Sequence, residues 1–162
     1  MTATRPGVVE AVLGRLADHE GSFREVDPLE LTSEERARGH LRGRTKGGRE
    51  LLVSIDRGPE LEEGDVLALV DGVAVVVAAA AEDVLEVLPA SSWEWGVAAY
   101  QLGNMHRQVR FNEHGFLTPY EPSSEEALIG LGVPYRRLQR AFSGERIRSL
   151  GGHRHDKHGH DG

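Results

Sequence analysis

The hydrophobic period of this chain changes once, near residue 80, and that change limits the folds open to it. Before it, apolar residues come in short runs broken by glycine-bearing turns, the pattern of strands. After it, two stretches of helical spacing alternate with short apolar runs. A chain of 162 residues holds one medium domain or two small ones, and a break in period near its middle favours two.

In the first part, residues 8–13 and 23–26 read as strands. Thr32 and Glu35 stand at the Ser/Thr-x-x-Glu spacing that starts a helix, which Gly39 keeps short. Runs 41–45 and 49–55 flank Lys46-Gly47-Gly48, and runs 66–70 and 73–78 flank Asp71-Gly72. Both are hairpin turns, where glycine supplies the positive φ of a tight reversal. The expectation is an all-β unit over residues 1–75, closed by hairpins.

In the second part, residues 84–88 form a strand that Pro89 stops. Ser91 and Glu94 make a capping box, and Trp95, Ala98, Ala99 and Leu102 recur at helical spacing over 92–102. That stripe is core or a dimer interface. Gly103 and Asn104 close the helix, since such residues tolerate the left-handed conformation of a last turn. A strand at 109–111, a turn at 112–115 and a strand from 116 follow. Pro122 and Ser123 open a second helix, with Ser123 and Glu126 at capping-box spacing, and Gly132 ends it before a strand at 133–138. Strand, helix, strand, strand, helix, strand is the ferredoxin-like βαββαβ order. The chain is therefore α+β, with a ferredoxin-like domain over 76–148 and a disordered His-rich tail over 149–162. The boundary between the units falls within 73–82.

The formal net charge of −7 argues against a nucleic-acid-binding protein, which carries a basic face. There is no cysteine, so disulfides and thiolate metal sites are excluded. Pro6 and Gly7 interrupt any signal-like start, and the longest apolar run, 73–81, is far short of the roughly 20 residues of a membrane span. The expectation is a soluble cytoplasmic protein. There is no Gly-x-Ser-x-Gly elbow, phosphate loop or His-Glu-x-x-His helix, which argues against an enzyme.

Chemistry concentrates in two places. Four of the eight histidines, His153, His155, His158 and His160, lie in the last ten residues. They form two pairs at spacing two, which point the same way in an extended chain. Asp156 and Asp161 add oxygen donors. Such a segment suits nickel, zinc, copper or cobalt, with no choice among them from ligand type. A purification tag is an unbroken histidine run, whereas this one is interrupted. The second place is His106, just past a helix end, where a side chain can leave the surface. One imidazole is too few for a transition metal, so His106 needs ligands from elsewhere, such as its own copy at a two-fold axis. His114, in the following turn, is a weaker candidate. His40 reads as exposed and His19 as solvated in an acidic loop.

Leu61-Glu62-Glu63-Gly64-Asp65-Val66-Leu67, Glu82-Asp83-Val84-Leu85-Glu86-Val87 and Leu102-Gly103-Asn104-Met105-His106 together resemble the urease accessory protein E family, dimeric nickel metallochaperones of urease maturation. The likeness covers nearly the whole chain. It implies a first domain that contacts partner proteins and a second that dimerises and binds metal. It implies a homodimer in which His106 of both protomers shares one Ni2+, completed or fed by tail histidines, His153 first. Zn2+, Cu2+ and Co2+ are competing ions. It also implies handover to the urease accessory GTPase and apo-urease. Met105 departs from the basic residue usual before the histidine, and residues 109–111 lack the histidines some members carry. A metal-storage or detoxification protein, in which the tail alone matters, is the alternative.

Overall fold

The computed structural model describes residues 7–56 and 58–144. The tail histidines His153, His155, His158 and His160 lie outside the described residues.

Six strands build the first unit: β1 (Gly7–Val9), β2 (Glu25–Leu31), β3 (His40–Arg44), β4 (Glu50–Ser54), β5 (Val66–Val70) and β6 (Val73–Ala79). They form two three-stranded sheets, ordered β1-β4-β3 and β2-β6-β5. Val9, Leu51 and Val53 of one sheet meet Leu29, Leu31, Leu67, Val75 and Val77 of the other in one core. Strand β6 is apolar without interruption because both its faces are covered. Ala74 and Val76, on the side away from that core, pack under Leu16 and Phe23.

The two hairpins form as expected. Asp71 and Gly72 both take positive φ, 53° and 78°, the geometry of a type I′ reversal. Hairpins do not close the unit alone, however. β1 runs parallel to β4 and β2 parallel to β6, pairings of distant strands that local patterns do not announce. The strand expected at 8–13 is divided between partners: β1 stops at Val9, and Leu13 and Gly14 bond instead to Val66. β2 begins later than expected and runs through Pro28. This is tolerated because β2 is an edge strand, where a missing N–H faces no neighbour. Buried Asp27 beside it accepts from Thr45 Oγ at 2.6 Å and from the Gly47 amide at 2.7 Å, tying the β3–β4 turn to the other sheet.

α1 (Ser33–Ala37) joins the units. Thr32 and Glu35 cap it reciprocally, as their spacing predicts. Its first residue is also held from the second unit: Glu82 accepts from the Ser33 amide at 2.7 Å and hydroxyl at 2.5 Å. Buried Arg36 donates to the carbonyls of Leu31 and Phe142 at 2.8 and 2.6 Å.

The second unit runs β7 (Ala81–Val87), α2 (Ser92–Asn104), β8 (Arg110–Phe111), β9 (Phe116–Pro119), α3 (Pro122–Leu131) and β10 (Tyr135–Ala141). The change of sheet falls at Ala80, between β6 and β7. The four strands form one antiparallel sheet ordered β10-β7-β9-β8. Leu85, Val87 and Phe116 of the sheet pack against Ala98, Leu102 and Leu128 of the two helices. Trp95, Phe111 and Phe116 cluster at centroid distances of 5.6–6.3 Å, with Trp95 stacked on Phe111 and Phe116 tilted against both. The opposite sheet face carries a smaller cluster, Val84, Leu117 and Phe142. Pro122 opens α3 as expected, but the Ser123–Glu126 capping box does not form: Glu121 is the N-cap, without a side-chain bond. Proline suits that turn because the amide it lacks would have no partner there.

Candidate metal centre

α2 presents two faces with different work. Its start is tied by Ser91 Oγ, which accepts from the Glu94 amide at 3.2 Å, while Glu94 accepts from the Ala90 amide at 2.6 Å. The stripe of Trp95, Ala98, Ala99 and Leu102 faces the core. The opposite stripe, Trp93, Gly96, Tyr100 and Gly103, is exposed along its whole length. Trp93 is 76% and Tyr100 71% exposed, and a side chain built at Gly96 or Gly103 would meet open space. An aromatic pair one heptad apart on the solvent side was the signal the core pattern hid.

The helix runs two residues further than the expected 92–102 and closes on His106 itself. His106 has φ +55°. Its amide bonds the Gly103 carbonyl at 2.9 Å, and the Arg107 amide bonds the Leu102 carbonyl at 3.0 Å. These are the paired bonds of a Schellman cap, with the left-handed residue just past the helix. α3 ends in the same pattern, with Gly132 (φ 69°) bonded to Ile129 and Val133 to Leu128. One helix thus closes on glycine and the other on histidine. His106 is exposed, and among the described residues its imidazole has no hydrogen-bond or ion-pair partner.

His106 lines an open cleft of about 350 Å3 between α1 and the second unit. Four carboxylates reach it, and each is engaged. Glu34 pairs with Arg38, Glu82 holds Ser33, and Glu121 lies 3.6 Å from Arg107. Asp83 accepts from Arg137, and that hydrogen bond first, then the neighbouring positive charge, holds its carboxyl below the ordinary range. Among the described residues no group of three histidines or carboxylates is placed to hold an ion. His106 therefore offers an exposed imidazole around which the described residues place no further ligands.

The chain after β10 runs toward this corner. Ser143 accepts from Arg110 at 3.5 Å. Gly144 lies against Gln108: a side-chain carbon built there would stand 3.1 Å from Gln108 Oε1. Gly144, the last described residue, thus lies beside a residue two positions after His106.

The structure does not bring His114 into this cleft. His114 is exposed in an Asn112-capped turn and lines a different basin, with Glu86, Arg136 and Arg140. His40 is exposed and faces Ser54 and Asp56. His19 corrects its expectation: it is partly buried and bonded to the Leu13 carbonyl at 2.9 Å, which closes its loop.

Comparison with known proteins accounts for both units. Residues 9–80 match the model of the UreE urease accessory protein N-terminal domain, and 82–162 that of the C-terminal domain. The chain is 32% identical over 149 residues to the urease accessory protein UreE of Geobacillus kaustophilus, covering 92% of this chain and 99% of that one. It is 41% identical over 133 residues to UreE of Bordetella pertussis, covering 81% of this chain but 63% of that one. A bifunctional urease accessory protein UreEF of Bordetella bronchiseptica matches at the same identity, with 30% of its length covered. The chain belongs to the UreE urease accessory protein family.

Proposed function

We propose that this protein is a nickel metallochaperone of urease maturation, a cytoplasmic carrier with no reaction of its own. Its cargo is Ni2+, and zinc, copper and cobalt compete for the same imidazoles. The role in urease maturation follows from the family. The observation that carries the metal reading is the setting of His106: exposed, without a partner among the described residues, and two positions before Gln108, against which Gly144 lies. From Gly144 to His153 is nine residues, about 30 Å fully extended, ample to reach the same corner.

The second unit, which we read as ferredoxin-like over its sheet order, dimerises through the exposed stripe of α2. A two-fold axis near the end of that stripe brings the His106 rings of the two protomers to one ion, and His153, His155, His158 and His160 complete or feed it. The first unit contacts partner proteins. The recipients are the urease accessory GTPase and apo-urease. Fusion of a UreE-like chain to a second accessory function in Bordetella bronchiseptica supports work at close quarters, because linkage raises effective concentration.

Equilibrium dialysis against Ni2+ on the intact chain, His106→Ala and a chain ending at Gly152 tests the reading. His106→Ala must remove the tightest site and leave weak ones. If only the truncation matters, the protein is a storage or detoxification protein. Dimer mass measured with and without nickel in the same samples tests the shared ion.

A further inference from the structure

Among the described residues, the sheet face away from α2 and α3 is only partly covered. α1 and Phe142 shield its lower part. The other part is open and carries an ordered basic group. The strand registers set Arg110, Leu117, Glu86 and Arg136 in one row across β8, β9, β7 and β10. Glu86, in a central strand, is 7% exposed. Arg136 donates to it through Nε, and Arg140 lies 3.7 Å from its other oxygen. The two arginine side chains are 65% and 53% exposed and share that single carboxylate. Among the described residues Arg110 meets the Ser143 carbonyl at 3.5 Å. Three arginines thus outnumber the two carboxylates at this place, Glu86 and the Glu113 that lines the same open basin of about 470 Å3, on a chain of net charge −7.

We propose that this half-face docks an extended, acidic segment of a partner protein along the free edge of β10. β10 ends the sheet, so its outer backbone groups face no strand among the described residues. An added strand satisfies them, and its side chains alternate between faces. Carboxylates four residues apart then stand beside Arg136 and Arg140 together. Charge on an edge strand also deters aggregation, but that needs no fixed geometry. Here a buried carboxylate holds Arg136 by a hydrogen bond and lies within ion-pair distance of Arg140, while both side chains stay more than half exposed. The surface lies across the sheet from α2, so it is independent of the metal reading.

The test uses the full chain and a fluorescein-labelled peptide of alternating Glu and Thr with four glutamates, read by anisotropy at 50 and 300 mM NaCl. Binding is expected, weakened at least tenfold at the higher salt, as for exposed charges. Glu86→Gln/Arg136→Gln/Arg140→Gln strands no buried charge and should weaken it at least tenfold. Arg137→Gln, whose side chain lies on the other sheet face with Asp83, should leave it unchanged. If the triple variant does not fold by circular dichroism, Arg140→Gln alone must weaken binding at least threefold. No binding to the parent, equal binding by the triple variant, or equal binding of a Gln/Thr peptide overturns the proposal. Full displacement by millimolar inorganic phosphate overturns it in favour of a small-anion site.

Discussion

A helix that closes on a left-handed residue ordinarily uses glycine there, because a Cβ in that conformation crowds the following carbonyl. Gly132 follows that rule and His106 breaks it. The strain, about 1 kcal/mol for a polar residue, is retained where the side chain has work to do. His106→Gly is therefore expected to fold at least as stably as the parent and to lose the tightest nickel site. His106→Ala keeps the crowded Cβ without the imidazole and should be about 1 kcal/mol less stable than His106→Gly. Urea denaturation of the three proteins measures this. Equal midpoints for the two variants would show that the left-handed cap is not maintained in solution.

At the scale of elements, α2 divides its labour between a buried stripe that holds the fold and an exposed one free to meet a partner. Tyr100→Glu places a charge on the exposed stripe. Its expected effect is to shift the protein from dimer to monomer in analytical ultracentrifugation while the unfolding midpoint of the monomer stays within about 0.5 kcal/mol, as for a surface change. A dimer unchanged by Tyr100→Glu would move the interface off α2. β10 makes a separate prediction. The hydrogen bond from Arg137 depresses the Asp83 pKa, so this pair stabilises the folded state above the ordinary value near 3.8. The contribution is lost as pH falls through the lower folded value. Arg137→Gln should therefore be less stable than the parent at pH 6, with the gap closing as the pH drops below that range. A gap equally wide in acid would assign the loss to the stacking of Arg137 on Tyr120, whose ring centroid lies 3.4 Å from the guanidinium carbon.

At the scale of the molecule, α1 locks two units that each have a core. Arg36 supplies the lock from a buried position and satisfies one carbonyl in each unit. Arg36→Ala leaves both carbonyls without that donor, a loss of about 2–3 kcal/mol. Calorimetry should then show two thermal transitions in place of one. A single transition at lower temperature would instead mean that the units remain coupled through Glu82 and Ser33 alone.

Much of this was legible in the residues because it depends on neighbours in the chain. The Thr32–Glu35 cap, the Asp71-Gly72 reversal, the helical stripe of α2 and the strand-helix order of the second unit are short-range patterns. The end of α2 near Gly103 and Asn104 was legible for the same reason. The parallel pairings β1–β4 and β2–β6, the burial of Asp27 under a distant turn, the row of charge across the second sheet and the return of Gly144 to Gln108 were decided only by the tertiary structure. They join residues separated by tens of positions, and chain entropy leaves such meetings undetermined until cores form and hold them.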